Sequence, residues 1–162
     1  MSRILVAEDN RVHARLAQGL LEAAGFEVQV VGNGQAALDR LRHGGVDLVL
    51  TDLHMPEMTG LELVEASQRD FPGLPVILMT QHGSEEIAVA ALQKGAASYV
   101  PKRHLDRDIV ATVDDVLAVS SSRRHSETVL RNLVRAESEF VLGNDSDLAL
   151  PLVNQLQQNL LR

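Results

Sequence analysis

Chemically useful side chains recur at the ends of short apolar runs in this chain. Glu8-Asp9 follow Arg3-Ile4-Leu5-Val6-Ala7, Asp52 follows Val46 to Thr51, Thr80 closes Pro75 to Thr80, and Lys102 comes just after Ala97 to Val100. Grouped carboxylates repel one another, and some members hold their protons unless a cation intervenes. A hard cation such as Mg²⁺ takes oxygen ligands and keeps positions open for phosphate oxygens. Lysine serves phosphate as a point charge. A carboxylate can itself be the nucleophile and form an aspartyl-phosphate. The cation and the lysine then stabilise charge on the transferring group. Asp52, flanked by the others, is the natural acceptor. Each residue alone has a plainer role: a capping turn for Glu8-Asp9, an Asx-turn for Asp52, a capping hydroxyl for Thr80, a solvated amine for Lys102. The combination, each member at a run's end, carries the chemistry. Lys occurs only at positions 94 and 102, against 13 Arg, which marks a compact ammonium as the group required.

The elements that must position these residues alternate. Short apolar runs of the kind buried on both sheet faces are separated by helical periodicities. Asn10 is an N-cap, followed by Val12, Leu16, Leu20 and Leu21 at helical spacing and Gly25 as a stop. Phe26 to Val31 reads as a strand and Gln35 to Arg42 as a helix. Gly60 to Arg69 is a helix with Leu61, Val64 and Glu65 on one side. Glu85 to Lys94 is a helix stopped by Gly95, and a last helix begins at Leu105 and carries Ile109, Val113, Val116 and Leu117. Five strands alternating with five helices predict an α/β domain: a five-stranded parallel sheet with helices on both faces. Ligands in such folds sit beyond the carboxyl ends of the strands, where these residues fall.

Composition narrows the function classes. The chain has 162 residues, 45% of them hydrophobic and 23% charged, as in a soluble globular protein. With three Phe, one Tyr and no Trp, it lacks base-stacking platforms for single-stranded nucleic acid. With no Cys, disulfide scaffolds, thiolate metal sites and Cys nucleophiles are excluded. A net charge of −7 argues against direct nucleic-acid or anionic-membrane binding. The apolar run after Met1 is too short for a signal-peptide core, and no stretch approaches a membrane span, so the expected compartment is the cytoplasm. Residues 1–120 hold 17 of the 22 acidic and 10 of the 15 basic residues, so the remainder is neutral. The shift at Ser120-Ser121-Ser122-Arg123-Arg124 separates a domain over 1–120 from a mainly helical C-terminal extension. Within it, 121–137 reads as a helical linker or continuation of the fifth helix, and 138–162 as a strand-helix tail. There Glu139-Phe140-Val141-Leu142 is the strand, Gly143-Asn144-Asp145 the turn, and Pro151 the start of a helix.

At the strand ends the sequence resembles the receiver domain of two-component response regulators. The stretches that carry the resemblance are Ile4-Leu5-Val6-Ala7-Glu8-Asp9-Asn10, Asp52-Leu53-His54-Met55-Pro56-Glu57-Met58-Thr59-Gly60, Val76-Ile77-Leu78-Met79-Thr80 and Ala96-Ala97-Ser98-Tyr99-Val100-Pro101-Lys102. It covers about residues 1–120 and implies a flavodoxin-like sheet of order 2-1-3-4-5. It implies a phosphoacceptor switch rather than an enzyme acting on a separate substrate. Asp52 would be phosphorylated, and Glu8, Asp9, Asp52 and the main-chain carbonyl of His54 would hold Mg²⁺. Thr80 and Lys102 would contact the phosphoryl oxygens, and Tyr99 would turn inward on activation. The face of helix four, strand five and helix five would then change shape. The implied partners are a histidine kinase or phosphotransfer protein as donor, an effector domain or partner protein, and a second copy through the fifth helix and tail. The tail resembles the opening of a histidine-kinase-type ATPase domain, which implies the start of an effector domain. The chain departs from the family pattern at Glu8, where an aspartate is usual, at Gln81, where a small residue is usual, and at Arg103 in place of proline. A cis peptide after Lys102 is thereby disfavoured, because a non-proline cis bond costs about 2.5–4 kcal/mol.

Other readings compete. Gly32-Asn33-Gly34-Gln35-Ala36-Ala37 fits a dinucleotide fingerprint, but it falls after the second strand, and Asn33-Gly34 is better turn chemistry. An aspartate-nucleophile phosphatase would want an acid where His54 stands. A docking module with a vestigial pocket, independent of phosphorylation, is the binding-class alternative. The six histidines, 13, 43, 54, 82, 104 and 125, show no metal-binding spacing and read as surface or loop residues, with His82 near enough to Thr80 to influence water.

Overall fold

A computed structural model describes residues 1–81 and 85–141, together with Gln158. The chain divides into two units, Met1–Ser120 and Ser121–Arg162. In the first, strands β1 (Arg3–Ala7), β2 (Glu27–Val31), β3 (Leu48–Asp52), β4 (Val76–Thr80) and β5 (Ser98–Pro101) alternate with helices α1 (Arg11–Ala23), α2 (Gly34–Leu41), α3 (Gly60–Asp70) and α4 (Glu85–Gln93), and a fifth helix, α5 (Leu105–Val141), begins there and ends in the second. The five strands form one parallel sheet in the order β2-β1-β3-β4-β5, as the sequence led us to expect.

Strand alternation explains how one sheet serves two cores. Leu5, Ala7, Val49, Val76 and Leu78 face one way and pack with Ala37, Leu38 and Leu41 of α2, Leu63 and Val64 of α3 and Ala91 of α4. Ile4, Val6, Leu48, Leu50, Ile77 and Met79 face the other way and pack with Ala17 and Leu21 of α1 and Leu105, Ile109 and Val113 of α5. All five residues of β3 and of β4 are buried, whereas β2 at the sheet edge is half exposed.

The helix starts are chemically specified. The Asn10 side chain accepts hydrogen bonds from the amides of Val12 and His13, at 3.0 and 3.1 Å. Asn33 caps α2 through Ala36 N at 2.8 Å. Thr59 and Glu62 form a reciprocal capping box at α3. Gly34 is buried, and the space where its Cβ would lie is filled by the Met58 side chain, so Gly32-Asn33-Gly34 is a cap and turn rather than a phosphate cradle.

Three expectations need correction. On α1 the buried face is Ala14, Ala17 and Leu21, whereas Val12 is 73% and Leu16 45% exposed. Leu21 and the small Ala14 and Ala17 form that face, and Leu20 packs partly against the same core. On α3, Glu65 is exposed and pairs with Lys94 instead of joining the core, which Leu63, Val64, Ala66 and Ser67 line. At the C-terminal end, α5 runs unbroken through Ser120-Ser121-Ser122 to Val141, so Glu139–Val141 are helical where a strand was expected. A propagating helix adds one hydrogen bond per residue, which outweighs the β-propensity of a short apolar run lacking a partner strand. The rest of the tail expected over 138–162 lies outside the described residues, apart from Gln158, as does His82. The described backbone contains no cis peptide, and no described helix is long and apolar enough to cross a membrane.

Candidate functional site

The carboxyl ends of β1, β3, β4 and β5 lie on one edge of the sheet, and the register brings their terminal residues together: Ala7 opposite Thr51, Asp52 opposite Met79, Thr80 opposite Pro101. Glu8 extends the β1 ladder by one bond, its amide donating to Val31 O at 3.0 Å. Its side chain is thereby carried into the edge and buried, with Oε1 accepting from Asn10 N at 3.1 Å. Asp9, the next residue, is exposed. Asp52 is the last residue of β3, buried, with Oδ1 accepting from Leu53 N at 2.8 Å. One carboxylate oxygen from each of Glu8, Asp9 and Asp52 can lie within 4.8 Å of the others.

Lys102 opens a single 3-10 turn (Lys102–His104) directly after β5, so a short strand end aims its long side chain across the edge. Its ammonium stands 2.8 Å from Glu8 Oε2 and 3.1 Å from Asp52 Oδ1, with the side chain 9% exposed. Glu8 Oε2 meets Lys102 as an ion pair and has no other hydrogen-bond partner. Burial pushes the Glu8 carboxyl above its ordinary 4.5; the Lys102 ammonium and the Asn10 amide pull it back, and the charge of Asp52 adds to the rise. Three carboxylates facing one ammonium leave an excess of negative charge over oxygen donors alone. A divalent hard cation has the charge and ligand preference that such a set lacks.

Thr80 ends β4 with 1% of its surface exposed, and its Oγ1 has no hydrogen-bond partner. A buried hydroxyl without a partner costs about 1–3 kcal/mol. Its position beside Asp52 offers a donor to any oxygen group attached there. Tyr99 is one strand farther out, paired in register with Leu78 and 38% exposed, so its ring is in an outward position. His54 is exposed two residues past Asp52. Gln81 and Arg103 are exposed beside Thr80 and Lys102 respectively.

The loop from β3 to α3 is folded tightly against Asp52. Gly60 N donates to Leu53 O at 2.8 Å. A Cβ on Gly60 would stand 2.2 Å from Asp52 O and 2.9 Å from Leu53 Cα, so only glycine permits this approach. Glu57 in the same loop adopts φ of 69°, a left-handed conformation uncommon outside glycine.

The structure thus brings together Glu8, Asp9, Asp52, Thr80 and Lys102, with Tyr99 one strand away. It adds one residue that sequence reasoning had left on the surface: His13, whose Nδ1 is 3.0 Å from Lys102 Nζ. Its place three residues after the Asn10 cap, on the first turn facing the same edge, was the available signal.

Comparison with known proteins shows the family. A family model described as the response regulator receiver domain matches residues 4–114. The chain is 35% identical over 154 residues to the transcriptional regulatory protein ZraR of Klebsiella oxytoca, covering 94% of this chain and 33% of that protein. It is 38% identical over 117 residues to the transcriptional regulatory protein CpxR of Escherichia coli K12, covering 72% and 50%. Its backbone is similar to the crystal structure of NtrX from Brucella abortus, with a TM-score of 0.75, 26% identity and coverage of 80% of this chain and 30% of that one. It is similar also to a CheY-like receiver domain from Methanospirillum hungatei, with a TM-score of 0.70, 28% identity and coverage of 75% and 98%. The chain spans between a third and a half of the length of those two curated relatives.

Proposed function

The chain belongs to the response-regulator receiver family, and on that premise we propose that it is a phosphoacceptor switch that takes a phosphoryl group on Asp52 with the help of Mg²⁺. The observation that carries this reading is the pairing of Lys102 with both Glu8 and Asp52 at the edge where Asp9 and the unpartnered Thr80 hydroxyl also lie. Asp52 supplies the nucleophilic oxygen. The bond from phosphorus to the donor's leaving group breaks as the bond from phosphorus to Asp52 Oδ forms, and the leaving group departs with the electron pair. Glu8, Asp9, Asp52 and the His54 carbonyl would hold Mg²⁺, which neutralises negative charge on the phosphoryl oxygens when bound. Lys102 contributes a fixed positive charge, and Thr80 donates a hydrogen bond that its hydroxyl makes to nothing else.

The switch follows from the same geometry. A phosphoryl group at Asp52 gives Thr80 an acceptor, and drawing Thr80 toward it opens room beside β5 that the outward Tyr99 ring can occupy. The face made by α4, β5 and α5 then differs between the two states. The donor in this reading is a histidine kinase or phosphotransfer protein, and the output is an effector module or partner protein. The transcriptional work named for ZraR and CpxR would fall to such a module, since the receiver unit itself is acidic. The full constellation favours this reading over a docking module with a vestigial pocket.

The test is intact-mass spectrometry after incubation with acetyl phosphate and Mg²⁺. Wild type should gain one phosphoryl group, while Asp52→Asn, or wild type with the metal chelated, should gain none. Equal labelling of wild type and Asp52→Asn would defeat the assignment.

A further inference from the structure

The active-edge lysine has a third partner that the acidic pocket does not require. Lys102 Nζ carries three protons and faces Glu8 Oε2 at 2.8 Å, Asp52 Oδ1 at 3.1 Å and His13 Nδ1 at 3.0 Å. An ammonium has donors and no acceptor, so the His13 nitrogen must accept, which assigns the imidazole as neutral with its proton on Nε2. His13 is half-buried in the first turn of α1, and its backbone amide is tied to the Asn10 cap. It is therefore an anchored acceptor, supplied by an element that contributes nothing else to the lysine.

Resting on the phosphoacceptor reading above, we propose that His13 is a positioning residue for phosphoryl transfer, holding the Lys102 ammonium in place through its neutral Nδ1. The two carboxylates cannot do this alone. Once a divalent cation and a phosphoryl group engage them, their pull on Lys102 weakens, while its flexible four-carbon stem leaves many other conformations open. A neutral acceptor keeps its hold through that change. It neither competes for the cation nor repels the incoming phosphate, as a carboxylate at the same position would. Holding the charge ready where it develops in the transition state is worth rate rather than ground-state binding.

The experiment compares His13→Ala and His13→Asn with wild type in the full chain. Asn places its Oδ1 near where the imidazole Nδ1 stands and restores a neutral acceptor. Phosphoryl uptake from acetyl phosphate is followed by mass spectrometry over time, Mg²⁺ affinity is titrated separately, and long-range ¹H–¹⁵N spectra report the imidazole tautomer. His13→Ala should slow uptake about tenfold, the scale expected for losing one hydrogen bond to a charged group, with Mg²⁺ affinity unchanged within about twofold. His13→Asn should recover most of the rate. Wild type should show an unprotonated Nδ1 whose shift moves in Lys102→Met. A wild-type rate in His13→Ala, an Asn variant as slow as Ala, or a protonated Nδ1 would each overturn the proposal. If wild type itself takes up no phosphoryl group, the Asp52 reading fails, while the tautomer and its response to Lys102→Met still decide whether His13 holds the lysine.

Discussion

At the scale of single residues, Glu8 sets the pH behaviour of the metal-free site. Burial holds its proton above the ordinary 4.5 in the folded chain, more tightly than in the unfolded one. The contribution of Glu8 to folding stability therefore declines as pH climbs from 4.5 through the raised value and levels off above it. Glu8→Gln removes that decline. In urea without metal, its stability relative to wild type should increase between about pH 4 and about pH 8, while its Mg²⁺ affinity falls about tenfold or more. A stability difference that stays flat with pH would refute this. Thr80→Val replaces a hydroxyl that bonds to nothing by a group of the same shape. Metal-free stability should hold within about 1 kcal/mol and rise rather than fall. NMR signals of Tyr99 should then cease to respond to phosphorylation. Gly60→Ala is the opposite case. Its Cβ would collide with backbone atoms of Asp52 and Leu53, so it should unfold the β3–α3 loop and abolish phosphoryl uptake together.

At the scale of elements, caps and close packing decide. Asn10→Ala removes the acceptor for two α1 amides and should cost about 1 kcal/mol by urea denaturation. Ala17 is wholly buried between α1 and the sheet. Ala17→Leu should cost about 1–3 kcal/mol by overpacking, whereas Val12→Ser on the exposed side should change stability little. These contrasts also show what was readable beforehand. Strands β3 and β4 were legible because unbroken apolar runs stop abruptly at Asp52 and Thr80, and that stop is the site itself. The α1 face was not, because periodicity weights large side chains, while the buried face pairs Leu21 with the small Ala14 and Ala17 and leaves Val12 and Leu16 outward. The contact of His13 with Lys102 joins residues 89 positions apart. The Asn10 cap places His13 on the first turn of α1, but only the sheet order makes it a neighbour of Lys102. Glu139 to Val141, the described part of the strand expected over Glu139-Phe140-Val141-Leu142, misled because Phe140 and Val141 were judged without the helix that arrives at them.

At the scale of the whole receiver unit, cation binding at the acidic cluster would be linked to folding. If Glu8, Asp9 and Asp52 hold Mg²⁺ only when folded, ion at 100 times its dissociation constant should stabilise wild type by about 2.7 kcal/mol. Thermal melts with and without chelator should show that gain in wild type and lose most of it in Asp52→Asn. The two apolar clusters, one on each side of the sheet, have a further consequence. β1, β3 and β4 are sandwiched between them, whereas β2 and β5 each have an unpaired edge. Native-state hydrogen exchange should sort the amides accordingly, with the central strands opening only when the entire unit unfolds and the outer two through smaller local openings. Asp52 would thus sit in the slowest-exchanging strands of the sheet and Tyr99 in a faster one: on the phosphoacceptor reading, the reacting carboxylate would stay still while the strand bearing the responsive ring is free to breathe.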